Sequence, residues 1–138
     1  KRYLKDSSYL EMNDYWSQYP KGRYTYGLIP NVITYKNTLT SEIYNRRSEI
    51  KYYQLSFEAN FLNSFCGKHG ITDTQKCRFC KAHIETTDHI MTQCEQLDYN
   101  RLKIDCARHN LNFSTTVLLT NHKLKYEVEK FINDNFLV

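Results

Sequence analysis

Three cysteines and one histidine constrain this chain more than any other feature. Cys77-Arg78-Phe79-Cys80 sets two thiols three positions apart, eight residues intervene before His89, and four more before Cys94. A Cys-x2-Cys turn can aim two thiolates at one point about 2.3 Å away, because backbone N–H groups fold back onto the sulfurs. His89 and Cys94 come to one side if they share a helical turn or its frayed end. Thr86 is the expected cap of that turn, with Asp88 favourable at the positive end of its dipole. The spacing predicts one zinc ion on Cys77, Cys80, His89 and Cys94. Three thiolates and an imidazole fill a tetrahedron, so the ion is expected to be structural, because hydrolytic chemistry needs an open position. His83 is the competing ligand, but it would close a tight loop after Cys80 and leave a long reach to Cys94, so the spacing favours His89.

Five cysteines is an odd count, which argues against a closed disulfide framework and suits a reducing compartment. Cys66 and Cys106 lie apart from the cluster and are expected as small core residues. Cys66 and His69 are close in sequence, but a cysteine facing a core at a helix end is a poor nucleophile, and no catalytic residues are assigned.

With 138 residues, 41% of them hydrophobic, the chain is long enough for one domain with a real core and short for two. The reading is a single, mostly α domain over 1–138. It comprises an irregular aromatic segment (1–38), a helical part (39–76), the zinc knuckle (77–94) and C-terminal helices (95–138). Pro20, Gly22, Gly27 and Pro30 are expected to break up the first segment, leaving at most a short helix over Asn13 to Ser17. Glu49 to Leu55 fits both a strand and a helix, and helix is preferred. Leu55, Ala59, Leu62 and Cys66 recur on one helical face, with Gly67 as the stop. Residues 96–108 form a further helix with Leu97, Ile104 and Cys106 inward. Ser114 caps a turn carrying Val117 and Leu118, and Leu124, Val128, Phe131 and Ile132 define a final helix.

No apolar run approaches the roughly 20 residues of a membrane span, and the basic start is not followed by a signal-peptide apolar region. The chain begins at Lys1, which fits both a piece of a longer polypeptide and a mature chain freed of a leader. Residues 1–76 hold 11 Lys/Arg against 7 Asp/Glu, whereas residues 77–138 hold 8 of each. The basic excess before Cys77 favours a polyanionic partner, since cations that neutralise phosphates release counterions.

Several segments resemble one known family. Lys21-Gly22-Arg23-Tyr24-Thr25-Tyr26-Gly27-Leu28-Ile29-Pro30, with Trp16 shortly before it, is similar to the stretch that follows the reverse transcriptase in arthropod non-LTR retrotransposons. Glu49 to Ser56 resembles that family's next segment, and Cys77 to Cys94 its carboxy-terminal Cys-Cys-His-Cys knuckle. Arg101-Leu102 and the closing helix through Phe131-Ile132 follow the same order, so the likeness covers residues 11–138. The chain departs from the family at Ser56-Phe57-Glu58-Ala59, where the family commonly has Thr-Gly-His-Gly.

The resemblance implies a post-polymerase region that binds element RNA or target DNA beside an upstream reverse transcriptase domain, in the nucleus or cytoplasm. Candidate nucleic-acid contacts are Lys21, Arg23, Arg46, Arg47, Arg78 and Lys81. The competing expectation is a protein-interaction module, recruited or secreted, anchored on aromatic residues such as Tyr24, Tyr26 or Tyr52.

Overall fold

The computed structural model describes residues 2–31 and 41–137, and these are mostly helical. Helix α1 runs from Arg2 to Gln18 and α2 from Arg23 to Leu28. The expectation of an irregular first segment is therefore wrong for its described part. The breakers punctuate helices there instead of preventing them. No Pro or Gly occurs before Pro20, so α1 continues until the residues that precede it. Gly22 takes a left-handed φ of 67° at the entry to α2, and Pro30 follows its end.

Trp16 ties these two helices together. Its Nε1 donates to the Ile29 carbonyl at 2.8 Å, and its ring meets Tyr26 edge-on. Arg23 donates to the Trp16 and Ser17 carbonyls at 2.7 and 3.1 Å, satisfying the C-terminal end of α1. Its guanidinium lies over the Tyr26 ring, 4.5 Å from the centroid.

Helix α3, Arg46–Gln54, starts at Asn45, whose side chain accepts from the Ser48 N–H. The helical reading of Glu49 to Leu55 thus holds, with Leu55 as the closing residue. Tyr52 is fully buried and donates to the Leu119 carbonyl at 2.9 Å, which removes it from the candidate partner anchors.

The helix expected through Leu55, Ala59, Leu62 and Cys66 does not form in one piece. After Gln54 the chain turns, and α4 spans only Asn63–Lys68. Distant hydroxyls take the carbonyls that would have continued the helix. Thr87 donates to Leu55 O at 3.1 Å and Thr25 to Ser56 O at 2.7 Å. Leu55 and Leu62 still reach the core, while Ala59 is exposed.

Gly67 lies within α4 and is not its stop. It is there because a Cβ would stand 2.4 Å from the Thr74 carbonyl oxygen, so only glycine lets the following loop fold back this closely. The left-handed turn falls at Gly70, with φ of 72°.

Helix α5, Asn100–Arg108, buries Leu102, Asp105 and Cys106. Leu97 is buried just before it, but Ile104 is 59% exposed, contrary to expectation. The helix starts at Asn100, not 96, and Leu102 and Cys106, four positions apart, share its buried face, whereas Ile104, two positions from each, points to the opposite side. Ser114 caps α6, Thr115–Thr120, by accepting from Val117 N. Helix α7, Lys125–Phe136, buries Val128, Phe131 and Ile132, with Leu124 at its cap, as the apolar spacing predicts.

One core cluster unites Leu28, Tyr52, Leu62, Cys77, Met91, Leu102, Leu118 and Ile132, so the cysteine-rich turn is packed into the helical body. No helix among the described residues is long and apolar enough to cross a membrane.

Candidate metal centre

The Cys77–Cys80 turn is built largely from backbone. An antiparallel bridge pairs Lys76 with Ile84, Cys77 N donates to the His83 carbonyl at 2.7 Å, and Lys81 N to the Cys77 carbonyl at 2.9 Å. Lys81 adopts φ of 57°, which reverses the chain and turns amide hydrogens toward sulfur. Phe79 N approaches Cys77 Sγ at 3.4 Å. The backbone N–H groups of Ala82 and His83 hold the Cys80 thiol below the usual cysteine range.

The second pair of ligands comes from a single π-helical turn, His89–Gln93. Thr86 caps it by accepting from His89 N at 3.1 Å, the role expected of that residue. Cys94 N donates to the His89 carbonyl at 2.8 Å, so the five-residue step between them returns both side chains to one side. Tyr99 secures the end of the turn. Its hydroxyl donates to Ile90 O at 2.6 Å and accepts from Cys94 N at 3.1 Å.

These elements bring Cys77, Cys80, His89 and Cys94 together with all four donor atoms within 4.8 Å of one another. Cys77 and Cys94 Sγ are 3.8 Å apart, and Cys80 Sγ is 3.3 Å from His89 Nε2. A tetrahedral ion with metal–sulfur bonds of about 2.3 Å requires sulfur–sulfur edges of about 3.8 Å. A disulfide would need about 2.05 Å, and all five cysteines are free. The four residues can therefore hold a metal ion. Burial lowers the His89 pKa, with the His83 charge adding to that effect, and so favours the neutral ligating imidazole. Burial, reinforced by Cys77 alongside, pushes the Cys94 thiol up to about 11. A cation would relieve that crowding of sulfur charge.

His83, the rival ligand, contributes its carbonyl to the turn, while its exposed ring stands 5.5 Å from that of His89. Cys66 and Cys106 are buried, as expected.

The basic candidates have diverse fates. Arg78 is a structural clamp: its Nη2 and Nε bind the fully buried Glu85 carboxylate at 2.8 and 3.0 Å, and Nη2 also donates to Phe61 O. Arg46 pairs with Glu49, and Arg23 packs on Trp16 and Tyr26. Lys21, Arg47 and Lys81 are exposed.

Sequence reasoning did not identify Glu85 or Tyr99 as supports of the centre. Glu85 looks like an ordinary charge before a helix start, and nothing local announces that its oxygens will meet Arg78 N at 2.8 Å and Asn63 N at 2.9 Å. Comparison with protein-family models, with curated proteins and with solved structures gives no match for this chain.

Proposed function

We propose that the four ligands hold one zinc ion and that the chain is a non-catalytic, zinc-stabilised module that binds nucleic acid. The observation that carries the metal half is the convergence of three thiols and one imidazole within 4.8 Å. Soft sulfur donors with an imidazole suit zinc and disfavour oxygen-seeking cations such as magnesium or calcium. Four protein ligands leave no position for a water or substrate, which supports a structural ion.

The nucleic-acid half rests on charge and on resemblance. Basic residues outnumber acidic ones by 11 to 7 before Cys77, and Lys21, Arg47 and Lys81 are exposed. The resemblance to the post-polymerase region of non-LTR retrotransposons points the same way. It also supplies the expected ligands, element RNA or target DNA, the expected neighbour, a reverse transcriptase domain, and a nuclear or cytoplasmic setting. The test is binding to single-stranded RNA, single-stranded DNA and duplex DNA at two salt concentrations. Affinity that falls steeply with salt supports the reading, and absent or salt-independent binding ends it.

A second reading, a protein-interaction module, is favoured by the apolar surface of α1. Leu10 is 70% and Tyr15 68% exposed, and Tyr15 stacks on Tyr19 with ring centroids 5.6 Å apart. Exposed aromatic pairs of this kind anchor interfaces. This reading expects feeble nucleic-acid binding at physiological salt and a protein partner whose affinity drops on Tyr15→Ser.

A further inference from the structure

On α3, Arg47 and Lys51 stand four residues apart and so share one helical face. Lys51 Nζ sits 4.0 Å from the centroid of Phe61. The carbonyl of that same residue accepts from Arg78 Nη2 at 3.2 Å, so Phe61 fixes a cation from α3 and one from the cysteine turn side by side. Phe136 completes the arrangement. It packs edge-on against Phe61 at 5.4 Å, and the Arg78 guanidinium carbon lies 5.3 Å from its ring centroid.

The charges on this face are not balanced. Among the described residues Lys51 has no acidic partner. Glu85 answers Arg78, but its carboxylate is fully buried behind the guanidinium. Arg78 directs Nε and Nη2 inward, which leaves the N–H donors of Nη1 for an outside group. Burial lowers the Lys51 pKa, and the positive charges of Arg78 and then Arg47 lower it further, as expected of cations held close together. An anion between them would offset that repulsion, and one with several acceptor oxygens could meet all three cations at once.

We propose that Arg47, Lys51 and Arg78 form a phosphate-binding site for the backbone of a polynucleotide strand, on the face where α3 meets the cysteine turn. This rests on the nucleic-acid reading above and locates it. The strand would cross beside Phe61 and Phe136, whose apolar surfaces keep the ammonium and guanidinium partly desolvated and so strengthen their hold on phosphate. The site sits next to Cys77 and Cys80 because Arg78 lies between them, which couples strand binding to an ordered metal centre.

The experiment uses the zinc-loaded chain and fluorescence anisotropy with a labelled 20-nucleotide oligo(U) and the matching oligo(dT), at 50 and 200 mM salt. Lys51→Glu and Arg47→Glu should each weaken binding at least fivefold at the lower salt and flatten the salt dependence by roughly one unit of slope. Lys51→Gln, a milder change, should weaken it by a smaller factor. Lys103→Glu and Lys123→Glu carry the same change in charge at exposed residues outside the cluster and should cost less than twofold. Zinc content and circular dichroism of each variant verify folding. If the wild type binds and all four reversals weaken it equally, or Lys51→Glu and Lys51→Gln leave it unchanged, the localised site is wrong while the nucleic-acid reading stands. If the wild type binds neither strand at 50 mM salt, both fall.

Discussion

Arg78 Nη2 stands 2.8 Å from Oε1 of Glu85, and the Glu85 side chain has no exposed surface. The carboxylate also accepts from the backbone N–H of Asn63 and Arg78, at 2.9 and 2.8 Å, so it joins the cysteine turn to the start of α4. A buried carboxylate satisfied in this way is costly to remove, because its donors are left unpaired. Glu85→Ala should destabilise the fold by about 3 kcal/mol. Arg46→Ala, which breaks a pair whose arginine is 77% exposed, should cost at most about 0.5 kcal/mol. Denaturant unfolding of both variants measures the difference.

Metal content should follow the four ligands and not the neighbouring histidine. Protein purified without added metal should contain one zinc per chain by elemental analysis. Cys80→Ser and His89→Ala should lose most of it, while His83→Ala and Cys106→Ser retain it. Removal by a strong chelator should loosen residues 77–94, detected as faster amide exchange there, because the ion would tie the 77–80 turn to the 89–94 turn. Equal loss from the His83 and His89 variants would refute the ligand choice.

Tyr99 offers a finer probe of the same centre. Its hydroxyl bridges Cys94 N and the Ile90 carbonyl in the buried end of the π-helical turn. Tyr99→Phe keeps the ring contacts with Phe113 and Phe131 and removes only the oxygen. The loss should be about 1–2 kcal/mol, with faster zinc release to a chelator. An unchanged release rate would show that Cys94 is held without it.

Stability should also depend on pH through a buried charge cluster between α3 and α7. Lys125, fully buried, donates to Glu49 Oε2 at 2.7 Å and lies 3.8 Å from Glu129 Oε2. Burial would raise the Glu49 carboxyl, but the hydrogen bonds and charges of Lys125 and Arg46 outweigh it and hold Glu49 low. For Glu129 burial wins over Lys125, and the carboxyl is pushed up to about 7.

A raised folded-state pKa favours the protonated form. The contribution of Glu129 is therefore complete below its unfolded value, near 4.5, and lost as pH climbs through about 7. Thermal unfolding should show the wild type losing stability relative to Glu129→Gln between about pH 4.5 and 7, by on the order of 3 kcal/mol, with the difference levelling off at higher pH. Parallel curves for the two proteins would rule this out.

The amino-acid sequence by itself determined the features that depend on short spacing. Cys77 and Cys80 must share a turn, and a residue five positions before Cys94 can reach the same point through one helical turn. Thr86 and Ser114 serve their own helix starts, with bonds spanning three residues. The stripe of Leu124, Val128, Phe131 and Ile132 needs no partner to be recognised, because helix geometry alone aligns it.

Tertiary structure decided what depends on partners distant in the chain. The helical spacing from Leu55 to Cys66 is real, but hydroxyls of Thr25 and Thr87, 31 and 32 positions away from the carbonyls they bind, interrupt it. Tyr52 is a core residue because Leu119 O is there to accept its proton, 67 positions on. Glu49 and Lys125 are 76 positions apart, and each has the local sequence of a surface charge until α3 and α7 pack together. Phe61, which meets both residues, is what brings Lys51 and Arg78 to one place. Local spacing fixes which donors a turn can present, but burial and the pairing of polar groups are settled only when separate segments exclude water from the same place.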